Sequence, residues 1–214
     1  MKLNLKKTKV MVFNPCTSID FMPEISIDGA ELEVVEELRL LGVIIRSDMS
    51  WASNTELMVQ KANKRMWFLR RLKYMGAPEE DLKDVYIKDI RSVLELAVPA
   101  WHGAITQAER VDIERIQKSA SNIILGDGYV SYKQSLKMLN LESLQARRDR
   151  LCLSFAQKSE KDVKFQKWFK PNAFRKETRL KKPKYHDVHA KHSRFSKSPL
   201  SSLTKLLNKH YSRK

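Results

Sequence analysis

One predicted helix of this chain contains a cluster of side chains suited to binding phosphate groups. Apolar residues recur every three or four positions between Ser53 and Gly76, which is the spacing of an amphipathic helix. The same stretch contains six lysines and arginines and a single acid. Because such cations bind phosphate oxygens, we predict that the helix contacts a nucleic-acid backbone through Lys61, Lys64, Arg65 and Lys73. A solvated helix face without a partner is the alternative interpretation.

A second basic region lies at the C-terminal end. Residues 161–214 contain 17 lysines and arginines against three acids, a net of +14 out of the formal +16 of the whole chain. Aromatic residues are interleaved with these cations, a composition typical of segments that bind single strands or RNA, since rings stack on bases while cations meet phosphates. We therefore predict Trp168, Phe169 and Tyr185 as nucleic-acid-binding residues. The charge by itself also suits an anionic membrane surface. A disordered, solvated tail without a selected partner is the other alternative.

The sequence gives little support for a catalytic site or a metal site. His102 stands alone in a predicted loop, without the nucleophile, base or glycine-rich phosphate loop that catalysis would need. Four glutamates between residues 31 and 37 fit the solvent-exposed face of a strand better than a metal site. His186, His189 and His192 repeat every three residues, yet no cysteine lies near them, so we expect no metal ligand here.

The cysteines and the hydropathy indicate the compartment. Cys16 and Cys152 form no metal-ligand pattern, and no signal peptide or long apolar span is visible. We expect an intracellular protein, cytoplasmic or nuclear, whose partner is neither a membrane nor a small-molecule substrate.

A small sheet is predicted before Trp51. Alternating apolar residues indicate strands at residues 9–13 and on both sides of the Asp28-Gly29 turn. The apolar run LRLLGVII, residues 38–45, is typical of a strand buried on both faces, in which Gly42 allows another backbone to come close.

Five helices are predicted after Trp51. Capping pairs and first-turn residues mark their starts, and the first helix is expected to stop at Gly76. The predicted starts are Ser53 with Glu56, Pro78, Thr106 with Glu109, Ser131 with Gln134, and Asn140. The apolar stripes of these helices are expected to form the core of a helical bundle.

The order of these motifs resembles the palm end and thumb of reverse transcriptases from non-LTR retrotransposons, the LINE-type and jockey-like elements. The strand LLGVII, an acidic turn, Ser50-Trp51 and a long basic helix match the passage from palm to thumb in that family. The segments IRSVLELAVPAW at 90–101 and ERIQKSASNIILG at 114–126 resemble its later thumb helices. The resemblance covers residues 3–158.

The resemblance implies roles for residues of the sheet. Lys7, in a motif with Asn4 and Thr8, would lie near the phosphates of an incoming nucleotide, and a solvated lysine at a strand edge is the alternative. A hairpin would grip the growing end of the primer through Leu41, Gly42 and Val43.

The resemblance also bears on catalysis. The carboxylates that hold two metal ions in this family lie upstream of the Asn-Lys-Thr motif, so no catalytic residue and no metal ligand is assigned in this chain. We expect no cofactor here, with Mg²⁺ needed only by a complete polymerase, and no activity from the chain alone.

Taken together, the sequence predicts an α+β fold. A small antiparallel sheet, the palm remnant, occupies residues 1–51, a helical thumb residues 52–158, and a basic, largely irregular and disordered tail residues 159–214. The expected function is that of the C-terminal fragment of an RNA-directed DNA polymerase, gripping the primer-template backbone. Its partners would be RNA or DNA and the upstream palm and fingers. The alternatives are a host nucleic-acid-binding protein derived from such a fragment, and a relic without function.

Overall fold

The computed structural model of the protein describes residue 4 and residues 8–13, 25–27, 29–172, 183–187 and 196–212. The fold is α+β, as predicted, with short strands preceding a large set of helices. The chain divides into two compact units, Met1–Asn54 and Thr55–Lys214. Lys7, Cys16, Asp28, His189 and His192 lie outside the described residues.

The first unit contains six short strands that form three separate pairs within the described residues. Strand β1 (Lys9–Val10) pairs in parallel with β4 (Glu33–Val34), and β2 (Ser26–Ile27) pairs antiparallel with β3 (Ala30–Glu31). The expectation of a single antiparallel sheet is therefore wrong for this part of the chain. The parallel pair arises because the β2–β3 hairpin lies between β1 and β4, so the chain returns beside β1 in the same direction.

The third pair is a hairpin formed by β5 (Glu37–Leu40) and β6 (Val43–Arg46). Leu40 faces Val43 in the register, so Leu41 and Gly42 form a two-residue turn. Both turn residues have positive φ, 50° and 88°, which is the geometry that matches the twist of the flanking strands. The sequence interpretation of residues 38–45 as one buried strand is wrong, because Gly42 makes the turn.

Eight helical segments follow within the described ranges. Besides these, Tyr86–Arg91 forms a π-helical turn, and Gly126–Gly128 and Gln166–Trp168 form 3-10 turns. The helices are α1 (Ala52–Tyr74), α2 (Glu79–Val85), α3 (Ser92–Leu94), α4 (Val98–Trp101), α5 (Gln107–Leu125), α6 (Tyr132–Met138), α7 (Leu144–Lys161) and α8 (Pro199–Ser212).

Most helix ends follow the predicted signals. The Thr106 hydroxyl accepts from the Glu109 amide and the Glu109 carboxylate accepts from the Thr106 amide, so the capping box of α5 is confirmed. Ser131 caps α6 through the Gln134 amide, 3.3 Å away. At the end of α1, Gly76 has φ of 82° and terminates the helix as expected.

Two predicted helix starts are wrong. α1 already begins at Ala52, so Ser53 lies inside the helix and its hydroxyl accepts from Arg46 instead of capping. α7 is capped by Ser143, whose hydroxyl accepts from the Ala146 amide at 3.2 Å. Asn140, with φ of 50°, belongs to the turn after α6.

The core of the second unit is formed by the apolar stripes of these helices. Its largest fully buried apolar side chains belong to α1, α2, the π-helical turn, α3, α4, α5, α7 and α8. They are Met66, Leu69, Leu82, Tyr86, Ile90, Leu94, Trp101, Ile113, Ile124, Leu144 and Leu203. The helical bundle therefore places the polar face of α1 on the outside.

The described part of the predicted tail is more ordered than the sequence indicated. α8 packs on α7 and α4, and its Leu203 and Leu207 are fully buried. Gly103, just after α4, permits this approach, because a Cβ there would lie 2.0 Å from Oγ of Ser202. Pro171 and Tyr185 form an isolated antiparallel bridge. The expectation of a largely irregular tail is therefore wrong for residues 199–212, which form a helix because their leucines find an apolar surface.

Candidate nucleic-acid interface

Helix α1 separates an apolar face from a basic one. Met58, Ala62, Met66 and Leu69 are buried on its inner face. The helix contains one carboxylate, Glu56, which accepts a hydrogen bond of 3.0 Å from Gln60. Its exposed cations are Lys64, Arg65, Arg70 and Arg71. A dense row of cations without interspersed acids creates a positive potential that attracts polyanions.

The four cations predicted on α1 differ in their surroundings. Lys64 is exposed and Lys61 is half-buried. Arg65 is exposed, and its Nη1 donates to the backbone carbonyl of Asp89 in the π-helical turn. Lys73 Nζ donates to the carbonyl of Ile124 at 2.8 Å.

Lys73 therefore donates a hydrogen bond to the C-terminal end of the neighbouring helix α5. The last carbonyls of α5 lack helical partners, and a cation there satisfies one of them and offsets the negative end of the helix dipole. This hydrogen bond connects α1 to the end of α5, and a contact of Lys73 with nucleic acid stays a prediction. The sequence could not indicate the hydrogen bond, because the two residues are 51 positions apart.

Sequence reasoning missed the aromatic residues of the same helix. Trp67 is 66% exposed and Tyr74 84% exposed, and Phe68 also shows much of its ring to solvent. The guanidinium of Arg71 lies over the Tyr74 ring, 5.7 Å from its centre. The signal that could have identified them is their position three or four residues from a lysine or arginine, on the side opposite the buried methionines.

Two of the three aromatic residues predicted in the tail are buried. Phe169 and Tyr185 lie in the core with ring centres 5.7 Å apart. The side chain of Asn208 holds Tyr185, accepting from its amide at 2.9 Å and donating to its carbonyl at 3.0 Å. Neither ring is exposed for stacking on a base, so the expectation for these two residues is wrong. The two rings instead pack on each other, and the Tyr185 ring also contacts Tyr211 of α8, where burial of aromatic area stabilises packing.

Glu160 of α7 accepts hydrogen bonds from three side chains beside these rings. Glu160 accepts from Lys184 at 2.6 Å and from the Tyr211 hydroxyl at 2.7 Å, and the Tyr185 hydroxyl also donates to it. These donors, with the charge of Lys184, lower the pKa of Glu160 although burial opposes them. Lys184 is thereby paired inside the protein, with its Nζ 3.9 Å from the centre of the Tyr211 ring.

Trp168 is the predicted tail residue that keeps exposed surface. It is 40% exposed and its ring packs edge-on against Phe165, with centres 4.8 Å apart. Lys164, Lys167 and Lys170 nearby are exposed. This small patch can contribute cations and one ring to binding.

The predicted grip residues occupy the tip of the β5–β6 hairpin. Leu41 is 91% exposed and Val43 is buried. Leu41 adopts a left-handed conformation that costs a residue other than glycine roughly 1–3 kcal/mol. Leu41 is therefore a strained and almost fully exposed residue at the hairpin tip, and its role in gripping a primer stays a prediction.

An ion pair supports the base of this hairpin. Arg46 donates to Asp48 through Nε at 3.2 Å and lies 3.5 Å from the Glu37 carboxylate on β5. The Arg46 hydrogen bond, helped by the Ser50 amide, lowers the pKa of Asp48 to about 2. Arg46 is therefore engaged within the hairpin.

His102 lies in the turn that follows α4, as the sequence suggested, but it is buried and has side-chain partners. It is 4% exposed at the end of α4, with Nε2 2.8 Å from Oδ1 of Asp149 and Nδ1 accepting from Nε of Arg148 at 3.3 Å. Burial lowers the pKa of His102 and outweighs the opposing effect of the hydrogen bond that Asp149 accepts from it. Burial also raises the pKa of the neighbouring Cys152 thiol to about 12, so the thiol is protonated and a poor nucleophile. This cluster links α4 to α7.

In the described ranges, no group of three or more His, Cys, Asp or Glu side chains is placed to hold a metal ion. None of the helices in those ranges has the length and apolar character needed to cross a bilayer.

Comparisons with protein-family models, with curated proteins and with solved structures found no match to this chain.

Proposed function

We propose that the chain binds the backbone of nucleic acid through the basic face of α1. The observation that supports this most strongly is the set of exposed cations on a helix whose single carboxylate, Glu56, is held by Gln60. Phosphate contacts of this kind fix the position of a duplex without reading its sequence. The opposite face of α1 is buried, so the cations stand on a rigid support.

The resemblance to retrotransposon reverse transcriptases makes the proposal more specific. We propose that the first unit corresponds to the end of the palm and the helical unit to the thumb of such a polymerase. A hairpin with an exposed Leu41 at its tip, followed directly by a long basic helix, is the arrangement expected for gripping a primer and its template. The partner would then be a primer-template duplex, held in place for a catalytic centre on other residues.

The experiment measures duplex binding by fluorescence anisotropy over a range of salt concentrations. A triple variant, Lys64→Gln, Arg70→Gln and Arg71→Gln, removes three exposed cations of α1 without removing buried surface. Each phosphate contact contributes about 0.9 to the slope of log affinity against log salt on B-DNA. The slope should therefore fall by roughly 2.7, and the affinity at low salt should fall with it.

The matched control removes the same charge elsewhere on the second unit. Lys118, Lys133 and Lys137 are exposed on α5 and α6, and their triple change to Gln lowers the net charge equally. If the α1 variant and this control give the same slope, binding is a property of net charge alone and α1 is not the interface. Unchanged circular dichroism in both variants would show that the fold is intact.

A further inference from the structure

Cations and rings alternate along one line of α1. Lys64, Trp67, Arg71 and Tyr74 are separated by three, four and three positions, which places them on the same face of the helix. With a rise of about 1.5 Å per residue, neighbouring members are separated by about 4.5–6 Å along the axis. This line lies opposite the buried residues Met66 and Leu69, in the middle of the solvent face.

The two rings of this line lack the burial that usually explains an aromatic residue on a helix. Trp67 and Tyr74 are the most exposed aromatic rings of α1. Arg71 lies over the Tyr74 ring, so a cation already occupies part of the space above it. Exposed apolar surface bordered by charge is typical of a binding site.

The charges along the line decide between possible occupants. A second copy of α1 would place Lys64 and Arg71 against cations of the same kind, and close like charges oppose association. A fully paired duplex offers phosphates to the cations but keeps its bases stacked inside. An unpaired strand offers phosphates and exposed base faces together, which matches both kinds of side chain in the line.

We propose that this line of α1 binds an unpaired stretch of nucleic acid, with bases stacked on Trp67 and Tyr74 and phosphates held by Lys64 and Arg71. The inference rests on the nucleic-acid binding proposed above and specifies the single-stranded form. The rings are separated by about 10.5 Å along the helix axis. That length equals about three stacked steps of roughly 3.4 Å, so the strand runs along the helix with the two stacked bases a few nucleotides apart.

The test separates stacking from charge by changing both the protein and the ligand. The full chain and a Trp67→Ala, Tyr74→Ala double variant are titrated with oligo-dT and with an abasic strand of the same length. Loss of one stacked base lowers affinity by roughly five- to 150-fold. We expect the double variant to bind oligo-dT more weakly by at least this single-ring factor, with an unchanged salt slope, and to bind the abasic strand as the unaltered chain does.

Two further variants make the result specific to the rings. Trp67→Phe with Tyr74→Phe keeps both π-faces and should retain most of the affinity for oligo-dT. Met138→Ala removes an exposed apolar side chain from α6 and should change neither titration. Because all of these side chains are exposed, thermal unfolding should be nearly the same in each variant.

Three results would overturn the inference. An equal loss on oligo-dT and on the abasic strand would mean that the rings act on phosphate binding or on the fold. No loss of affinity for either strand would show that the rings do not contribute to binding. Polyglutamate competing as well as oligo-dT would identify the face as a general polyanion surface.

The same data distinguish this inference from the function proposed above. The triple cation variant could lose duplex affinity while the ring variant keeps its affinity for oligo-dT. That result would support the proposed contact of α1 with the duplex backbone and refute only the stacking inference. If neither the cation variant nor the ring variant changes any titration, the interface on α1 is refuted as a whole.

Discussion

Replacing Leu207 by Ala tests whether the C-terminal helix is part of the folded body. Leu207 is fully buried where α8 packs on α7. Truncation of a buried leucine costs about 2–5 kcal/mol, the sum of lost transfer energy and the remaining cavity. For a protein of this size each kcal/mol lowers the melting temperature by about 2–4 °C, so we expect a fall of about 4–20 °C.

The assay is thermal and urea unfolding followed by far-ultraviolet circular dichroism. Lys205→Ala is the matched control, because Lys205 is exposed on the same helix and its loss should change the unfolding free energy by less than about 0.5 kcal/mol. If Leu207→Ala unfolds at the same temperature and urea concentration as Lys205→Ala, α8 does not contribute to the stability of the bundle. The packing of α8 on α7 would then be refuted, and the sequence-based expectation of an irregular tail would stand.

Three further predictions concern contacts between helices. Lys73→Gln should lower the unfolding free energy by about 1 kcal/mol, because it removes a cation from the end of α5. The salt slope of duplex binding should stay unchanged. A changed slope would show that Lys73 also contacts the nucleic acid. His102 has a lowered pKa when folded, so the unfolded chain takes up the proton first, and urea unfolding should show stability falling as the pH drops below about 6.5. His102→Asn should flatten that fall, and an equal pH dependence in the variant would contradict the assignment. Gly103→Ala should destabilise by about 1–3 kcal/mol because its Cβ meets Ser202, and adding Ser202→Gly should recover part of the loss in the same unfolding assay.

Local signals in the sequence predicted local structure well. The Thr106 capping box, the Ser131 cap and the Gly76 terminator are formed within a few residues, and the structure has all three. The hairpin between β2 and β3 likewise depends on a short turn, and Ile27 pairs with Ala30 as its sequence indicated. These features are determined by neighbouring residues, so no knowledge of tertiary packing was needed.

Features that depend on distant residues could not be predicted. The second predicted helix is helical without a break from Glu79 to Leu94, but it contains the π-helical turn at Tyr86–Arg91, and the chain then adopts a left-handed conformation at Ala97. Pro99 in the first turn of α4 marks the start of that helix, whereas no glycine at position 97 indicates the left-handed residue before it. The burial of Tyr185 depends on Asn208, 23 residues later, and the burial of His102 depends on Asp149, 47 residues later.

The candidate interface shows why net charge alone does not locate a binding surface. The tail holds most of the formal charge, yet Lys184 is paired with Glu160 and two of the predicted rings are buried. On α1 the charges are fewer, but the exposed ones stand beside exposed rings on a helix whose other face is packed into the core. Because that packing already orders the backbone of α1, little conformational entropy remains to be lost when a ligand binds. In the proposed interface, a row of four side chains on an ordered helix loses less conformational entropy on binding than cations on an unordered segment would lose.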